Sequence, residues 1–307
     1  MVTPFPILGS DSLAIAASRG LEFQHVSPLL YSGGKARHIR YLAALMPAKM
    51  DYLFDAFMGA LSTTIFLIKE GRVRPEACYA GDVYKPLLNF FDVLQSDYES
   101  LTLKLAEDSV YHSNGSYHLF KEAIDTLLGS SDKLELARAF YIFNKTSMSH
   151  ARNFEYSAFS PTKIGPNAGI TLPQIYRLPH YGALLAPVTI SEWDYTEALQ
   201  RAAKLGKGAF VFLDPPYEGH DLELYGVKID FDKFAEDCLA VADQCSFMVT
   251  INDSPANRER FEALNIIARQ QYYCGAHKPK GEELVICNYE LAHQEYYLER
   301  LGYGLVA

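Results

Sequence analysis

Short apolar runs that end in an acid or a small polar residue recur along this chain, separated by stretches of helical spacing. Tyr52-Leu53-Phe54 runs into Asp55, Ala77 to Ala80 into Gly81-Asp82, and Phe210-Val211-Phe212-Leu213 into Asp214-Pro215-Pro216-Tyr217. Two further runs, Ala186 to Ile190 and Phe247 to Ile251, end near Trp193-Asp194-Tyr195 and at Asn252-Asp253-Ser254. Short apolar runs of this kind, bounded by turn formers, read as buried strands. Proline cannot donate to a sheet ladder, so Pro215-Pro216 must end the strand at 213. Between the runs lie predicted helices over Ile39 to Met46, after a small-residue turn and up to Leu67, and over Lys85 to Leu105, Leu134 to Phe143, Thr196 to Leu205 and Phe231 to Asp243. Ile266 to Tyr273 and Glu283 to Tyr289 flank a Lys-bearing loop and predict a closing hairpin on an otherwise parallel sheet. Strands alternating with helices make this an α/β fold of the doubly wound, Rossmann-like kind.

The pattern changes between about 106 and 187. Pro161, Pro166, Pro173, Pro179 and Pro187 sit among Ser, Thr, Asn and Gly, the composition of irregular chain. The expected organisation is an N-terminal extension over 1–27, a catalytic domain from 28–105 and 188–307, and a mostly helical, loop-rich insert over 106–187. That insert is locally basic: Lys145, Arg152, Lys163 and Arg177 stand against Glu155 between 145 and 180. The whole chain is acidic, with a net charge of −9. That balance weighs against a nucleic-acid partner, since phosphate contacts need Lys and Arg, but a local basic face is enough to supply them. At 307 residues and 49% hydrophobic content the chain can bury a sizeable core. The first 25 residues hold neither a basic leader nor a long apolar stretch, so the expected location is cytoplasmic, with no membrane partner. Five dispersed cysteines without a Cys-x-x-Cys pair predict neither disulfides nor zinc, and the histidine spacing indicates no metal.

The chemistry gathers at predicted strand ends, where open α/β sheets bind ligands. Tyr31-Ser32-Gly33-Gly34-Lys35 offers two glycines for close backbone approach and an ammonium beside them. Asp55-Ala56-Phe57-Met58-Gly59 is an acid followed by a turn of mostly small residues before a helix, although the full Gly-x-Gly-x-x-Gly of dinucleotide enzymes is missing. The Asp55 carboxylate suits the ammonium of an amino-acid-bearing cofactor. Asp82, with Val83 after it, reads either as a ribose ligand or as a helix N-cap. Asp194-Tyr195 offers an acid and an aromatic face for an adenine.

Taken in order, these motifs resemble the Dam-type DNA adenine-N6 methyltransferase family. The resemblance rests on Tyr-Ser-Gly-Gly-Lys at 31–35, Asp-Ala-Phe-Met-Gly at 55–59, Gly-Asp at 81–82, Phe-Asn-Lys-Thr at 143–146, Asp-Pro-Pro-Tyr at 214–217, Asn-Asp-Ser at 252–254 and Glu-Leu-Val-Ile-Cys-Asn-Tyr at 283–289. It implies a Rossmann-like methyltransferase sheet and S-adenosylmethionine as cofactor. Tyr31, Ser32, Gly33, Gly34 and Lys35 would close over that cofactor, Asp55, Phe57 and Gly59 would hold its methionine part, and Asp82 with Val83 its ribose. Asp194 and Tyr195 would bind its adenine. Asp214, Pro215, Pro216 and Tyr217 would be catalytic, and Asn144, Lys145, Arg152, Lys278 and Lys280 would contact DNA. Ala60-Leu61 stands where the family commonly has its second glycine, and Ser147 to Arg152 departs from the family's Phe-Asn-Gly continuation.

The implied reaction moves a methyl group to the exocyclic amine of a flipped-out adenine. Asp214 and the Pro215 carbonyl would accept the amine hydrogens while Tyr217 stacks on the base. Cytosine-N4 or RNA methylation fits the same four residues, and the order of motifs favours adenine. A non-catalytic nucleic-acid-binding module has no physical need for an intact Asp-Pro-Pro-Tyr.

Overall fold

The computed structural model describes residues 27–31, 34–111, 117–147, 170–217, 229–271 and 281–291. Packing divides the chain into two units. Among the described residues, one holds 34–88 and everything from 187 onward, and the other holds 27–31, 89–147 and 170–186.

The first unit is a seven-stranded sheet with helices. Its strands are β1 (Tyr52–Asp55), β2 (Cys78–Asp82), β3 (Thr189–Glu192), β4 (Ala209–Leu213), β5 (Ser246–Asn252), β6 (Asn265–Gln271) and β7 (Gly281–Cys287), in the order β3-β2-β1-β4-β5-β7-β6. Neighbours from β3 to β5 are parallel, whereas β7 runs antiparallel to both β5 and β6. This is the mostly parallel sheet with a closing hairpin that the sequence predicts. Every residue of β4 is buried, which is why it reads as an unbroken apolar run rather than an alternating one. Phe210, Phe212 and Phe247 are buried to 2% exposure or less, each contributing up to roughly 3 kcal/mol by leaving water.

The strand order reverses between β1 and β4, since β1 is followed outward by β2 on one side and β4 on the other. The crevice outside the carboxyl ends at such a reversal is the ligand-binding position of open α/β sheets. Helix α1 (Ile39–Leu45) precedes β1, and α2 (Ser62–Lys69) follows it through a tight turn. Gly59 (φ 45) and Leu61 (φ 56, ψ 22) both adopt the left-handed conformation in that turn. A leucine there costs about 1–2 kcal/mol relative to ordinary backbone, and its side chain is fully buried. At the end of β2, Gly81 has no room for a side chain: a Cβ would fall 1.2 Å from the indole nitrogen of Trp193.

The second unit is helical. Lys85–Ser96 (α3) begins in the sheet unit and ends here, followed by α4 (Tyr98–Tyr111), α5 (Tyr117–Gly129), α6 (Lys133–Thr146), α7 (Leu172–Ile175) and α8 (Leu178–Leu185). The continuous helix expected over 85–105 is therefore two, separated at Asp97, whose carboxylate accepts from Ser100 N–H at 3.3 Å. Asp132 caps α6 by accepting from Glu135 N–H at 2.9 Å. Gly182 lets α8 lie against the α3–α4 junction, where a Cβ would meet the Leu94 carbonyl at 2.6 Å. Arg138 on α6 forms a two-pronged bond to Asp108 on α4, at 2.6 Å to Oδ2 and 2.7 Å to Oδ1. In the sheet unit, α9 (Tyr195–Leu205) leads into β4, α10 (Phe231–Ala240) into β5, and the short α11 (Pro255–Arg260) into β6. No helix among the described residues is long and apolar enough to cross a membrane. Cys78, Cys238, Cys245 and Cys287 are free and buried, which pushes the Cys78 thiol up to about 12 and the Cys245 thiol up to about 11. Cys274 lies outside the described residues.

Candidate active site

Three carboxylates stand at adjacent strand ends because parallel strands all deliver their last residues to one edge of the sheet. Asp55 ends β1, Asp82 ends β2 and Asp214 follows β4 directly. Each has a different partner. Asp82 accepts from Gly59 N–H at 3.3 Å and from Tyr84 N–H at 3.0 Å, so it fixes the β1–α2 turn and the start of α3 together. Val83 beside it is 42% exposed.

Asp55 is buried and accepts from the Thr64 hydroxyl at 2.7 Å. Burial pushes its carboxyl up to about 7, against the Thr64 bond and with the Asp214 and Asp82 charges adding to the rise. A buried acid answered by a hydroxyl rather than a cation fits the positive end of a ligand. Phe57, two residues on, stacks on Tyr195 with ring centroids 5.9 Å apart. The Tyr195 hydroxyl donates to Asp237 at 3.0 Å. Asp194 is exposed and caps α9, its Oδ1 accepting from Thr196 N–H at 2.8 Å. These placements bring Phe57 and Tyr195 together, while the Asp194 carboxylate is engaged with its own helix.

A polar cluster surrounds Asp214. Gly34 precedes a single 3-10 turn, Lys35–Arg37, and the Lys35 ammonium is buried. It lies 2.7 Å from Asp214 Oδ1 and 3.2 Å from Glu283 Oε1, donates to the Tyr217 hydroxyl at 3.2 Å, and sits 5.2 Å from the Tyr217 ring centre. The Tyr217 hydroxyl in turn donates to Glu283 Oε1. Thr250 on β5 donates to the same Asp214 oxygen, Oδ1, at 2.7 Å. Burial alone would lower the Lys35 pKa, but Asp214 and Glu283 outweigh it and hold the ammonium well above its usual range. Burial raises the Asp214 carboxyl, with Lys35 and Thr250 pulling the other way. The Tyr217 phenol is raised by burial, so it stays protonated. Two carboxylates sharing one ammonium leave the cluster with a surplus negative charge when both are ionised.

Lys35 therefore lies with the Asp-Pro-Pro-Tyr residues, where the sequence expectation had assigned it to the cofactor. Glu283 was not foreseen as a site residue. It opens the apolar stretch of β7, and because β7 is reversed, the start of this strand reaches the edge at which the parallel strands end. An acid at the head of an apolar run was the available signal. Thr250 gave none, being a β-branched residue within a β-strand.

In the helical unit, Asn144 is buried and bonds the Leu30 backbone in both directions, accepting from its N–H at 2.9 Å and donating to its carbonyl at 2.6 Å. Lys145 is 5% exposed, with its ammonium 5.2 Å from the Tyr141 ring centre. Neither presents a free polar surface of the kind expected for a DNA contact. Tyr31 is half-buried. Ser32, Gly33, Arg152, Lys278 and Lys280 lie outside the described residues. Among the described residues no group of three or more His, Cys, Asp or Glu could hold a metal ion.

Residues 31–274 match the model of the family MethyltransfD12, described as D12 class N6 adenine-specific DNA methyltransferase. No curated protein matches the chain.

Proposed function

From the chain's membership of the D12 class N6 adenine-specific DNA methyltransferase family, we propose that it transfers a methyl group from S-adenosylmethionine to N6 of an adenine flipped out of duplex DNA. The observation that carries this reading is Asp214, held after β4 by Lys35 and Thr250 on Oδ1, with Oδ2 reached by no described residue.

S-adenosylmethionine supplies an electrophilic methyl group on a sulfonium. Asp55 would face its ammonium, Phe57 and Gly59 its methionine part, and Asp82 with Val83 its ribose. Tyr195 would lie against the adenine from its stack on Phe57. The target N6 lone pair is delocalised into the base, so the amine is a poor nucleophile. Asp214 Oδ2 and the Pro215 carbonyl would each accept one amine hydrogen, drawing the nitrogen toward tetrahedral geometry. The same acceptors, with the surplus negative charge of the Glu283 carboxylate nearby, would stabilise the positive charge that grows on nitrogen. Tyr217 would stack on the base with its hydroxyl tied to Glu283, and alignment of nitrogen and methyl supplies the remainder. The helical residues within 106–187 would read the target sequence, and the protein would act in the cytoplasm.

Incubation with methyl-labelled S-adenosylmethionine and DNAs of varied sequence, followed by digestion and weighing of the nucleosides, tests this. N6-methyladenine is the expected product. Label on cytosine, or cofactor binding without label in any DNA, overturns the reading.

A further inference from the structure

Thr250 lies in the middle of β5, completely buried, with Val249 and Ile251 on either side. For packing and strand propensity a valine would serve as well, because the two residues have nearly the same shape and both suit a sheet. The hydroxyl is what distinguishes threonine here, and a buried hydroxyl is costly unless it is bonded. Its partner follows from register. β4 and β5 pair Leu213 with Val249, so the next position along places Asp214 beside Thr250. The bond they form is 2.7 Å long and ends on Oδ1, the oxygen that Lys35 also reaches at 2.7 Å.

Two donors on one oxygen have a directional effect. A carboxylate has two equivalent acceptors until its surroundings distinguish them. With Oδ1 held from the β5 side by Thr250 and by the Lys35 ammonium, the carboxylate plane is fixed, and Oδ2 is the acceptor left for an incoming hydrogen. A carboxylate lacking one of these anchors can rotate and present either oxygen at several angles.

We infer that Thr250 is a positioning residue for methyl transfer: its hydroxyl, acting with Lys35, saturates Asp214 Oδ1 and so commits Oδ2 to the amine of the target base. The inference rests on the proposed methyltransferase reading and deepens it. Thr250 does not touch substrate; it acts through the orientation and ionisation of Asp214. Its hydrogen bond also favours the charged carboxylate, opposing the rise that burial causes.

The test uses the full chain in single-turnover methyl transfer with labelled S-adenosylmethionine and saturating DNA. Thr250→Val keeps the volume and removes the donor, and Thr250→Ser keeps the donor and removes the methyl. The valine variant should be slower by about tenfold or more, as for loss of a hydrogen bond to a charged group. Its dissociation constants for S-adenosylmethionine and DNA should stay within about twofold of the parent, because cofactor and duplex contacts are untouched. The acid limb of its rate–pH profile should move to higher pH, since Asp214 loses a bond that favours ionisation. Serine should restore both rate and profile. A valine variant as fast as the parent overturns the inference. So does a serine variant as slow as valine, which would assign the site to packing. A parent protein that labels no DNA at all overturns the methyltransferase reading and this inference with it, whereas an active parent beside an undiminished valine variant sinks the inference alone.

Discussion

Asp108 in the helical unit and Asp214 in the sheet unit are both shielded carboxylates bonded to a cation, yet they are arranged for opposite ends. Arg138 meets Asp108 with two N–H groups, one on each oxygen, and reaches Glu135 and Glu122 with the rest of its guanidinium. The rigid fork of arginine matches a carboxylate in this way and leaves it chemically quiet. Lysine is a point charge, and Lys35 divides itself among Asp214, Glu283 and Tyr217. Asp214 is therefore oriented through Oδ1, while no described residue reaches Oδ2. A closed pair holds helices together, while an open one can act on a ligand. The choice of cation, Arg in one place and Lys in the other, separates the two uses.

The strongest way to break that comparison is to remove each acid in turn. Asp214→Ala should lower methyl transfer by about 10³-fold or more, the scale of losing a preorganised polar group at the reacting centre, with S-adenosylmethionine binding by calorimetry largely kept. Asp55→Asn sharpens it by asking what an acid costs when no cation answers it. In the unfolded chain this carboxyl ionises near pH 4, and in the folded protein near pH 7. Native stability should thus fall as pH rises from 4 to 7 and level off above, because the unfolded state sheds its proton first. The asparagine variant lacks that slope and should gain on the parent by up to about 4 kcal/mol at pH 8. Urea melts at pH 5 and pH 8 measure it, and an equal difference at both would show that Asp55 ionises normally. Asp108→Ala should cost about 1.5–3 kcal/mol of stability by removing two charged hydrogen bonds from Arg138, which keeps Glu135 and Glu122, with the methyl-transfer rate of the folded fraction unchanged. A folded but inactive Asp108 variant would erase the distinction between the two acids. The smallest effect is expected from Glu283→Gln. Lys35 would then face one carboxylate instead of two, transfer would slow by about tenfold as charge near the growing cation is lost, and the acid limb of the rate profile would move to lower pH, since Glu283 helps raise the Asp214 carboxyl.

The sheet was legible because its central strands are buried on both faces and announce themselves as unbroken apolar runs closed by acids. The strand-end positions of Asp55, Asp82 and Asp214 were legible for the same reason. Much of the helical unit was not. Leu178–Leu185 was hidden by Pro179, which a proline count reads as irregular chain, although proline in the first turn of a helix forfeits no hydrogen bond. The split at Asp97 was hidden because helical spacing continues through it on either side. In the site, Lys35 was found as a residue but not as a partner of Asp214, since no local pattern says which strand end a lysine will reach. Glu283 heads a motif of the family resemblance, but only the reversal of β7 carries this strand beginning to the edge where the parallel strands end. Asn144 was expected to contact DNA; the structure matches its amide to the backbone of Leu30, a pairing that depends on distant chain and that no local pattern announces.

The left-handed leucine in the β1–α2 turn bears on how freely this turn can be exchanged between relatives. Glycine at position 61 would relieve the backbone, worth about 1–2 kcal/mol, but would empty a fully buried site, and losing a large apolar side chain there costs about 2–5 kcal/mol. A β-branched residue would fill the space and fit the backbone worse. Each single step away from leucine is therefore downhill in stability. A glycine-rich turn of the more common family kind could be accommodated only together with new neighbours to fill the gap. The segment that carries Asp55, Phe57 and Gly59 behaves as a fixed module, and its exchange would have to include α2 and the core beneath it.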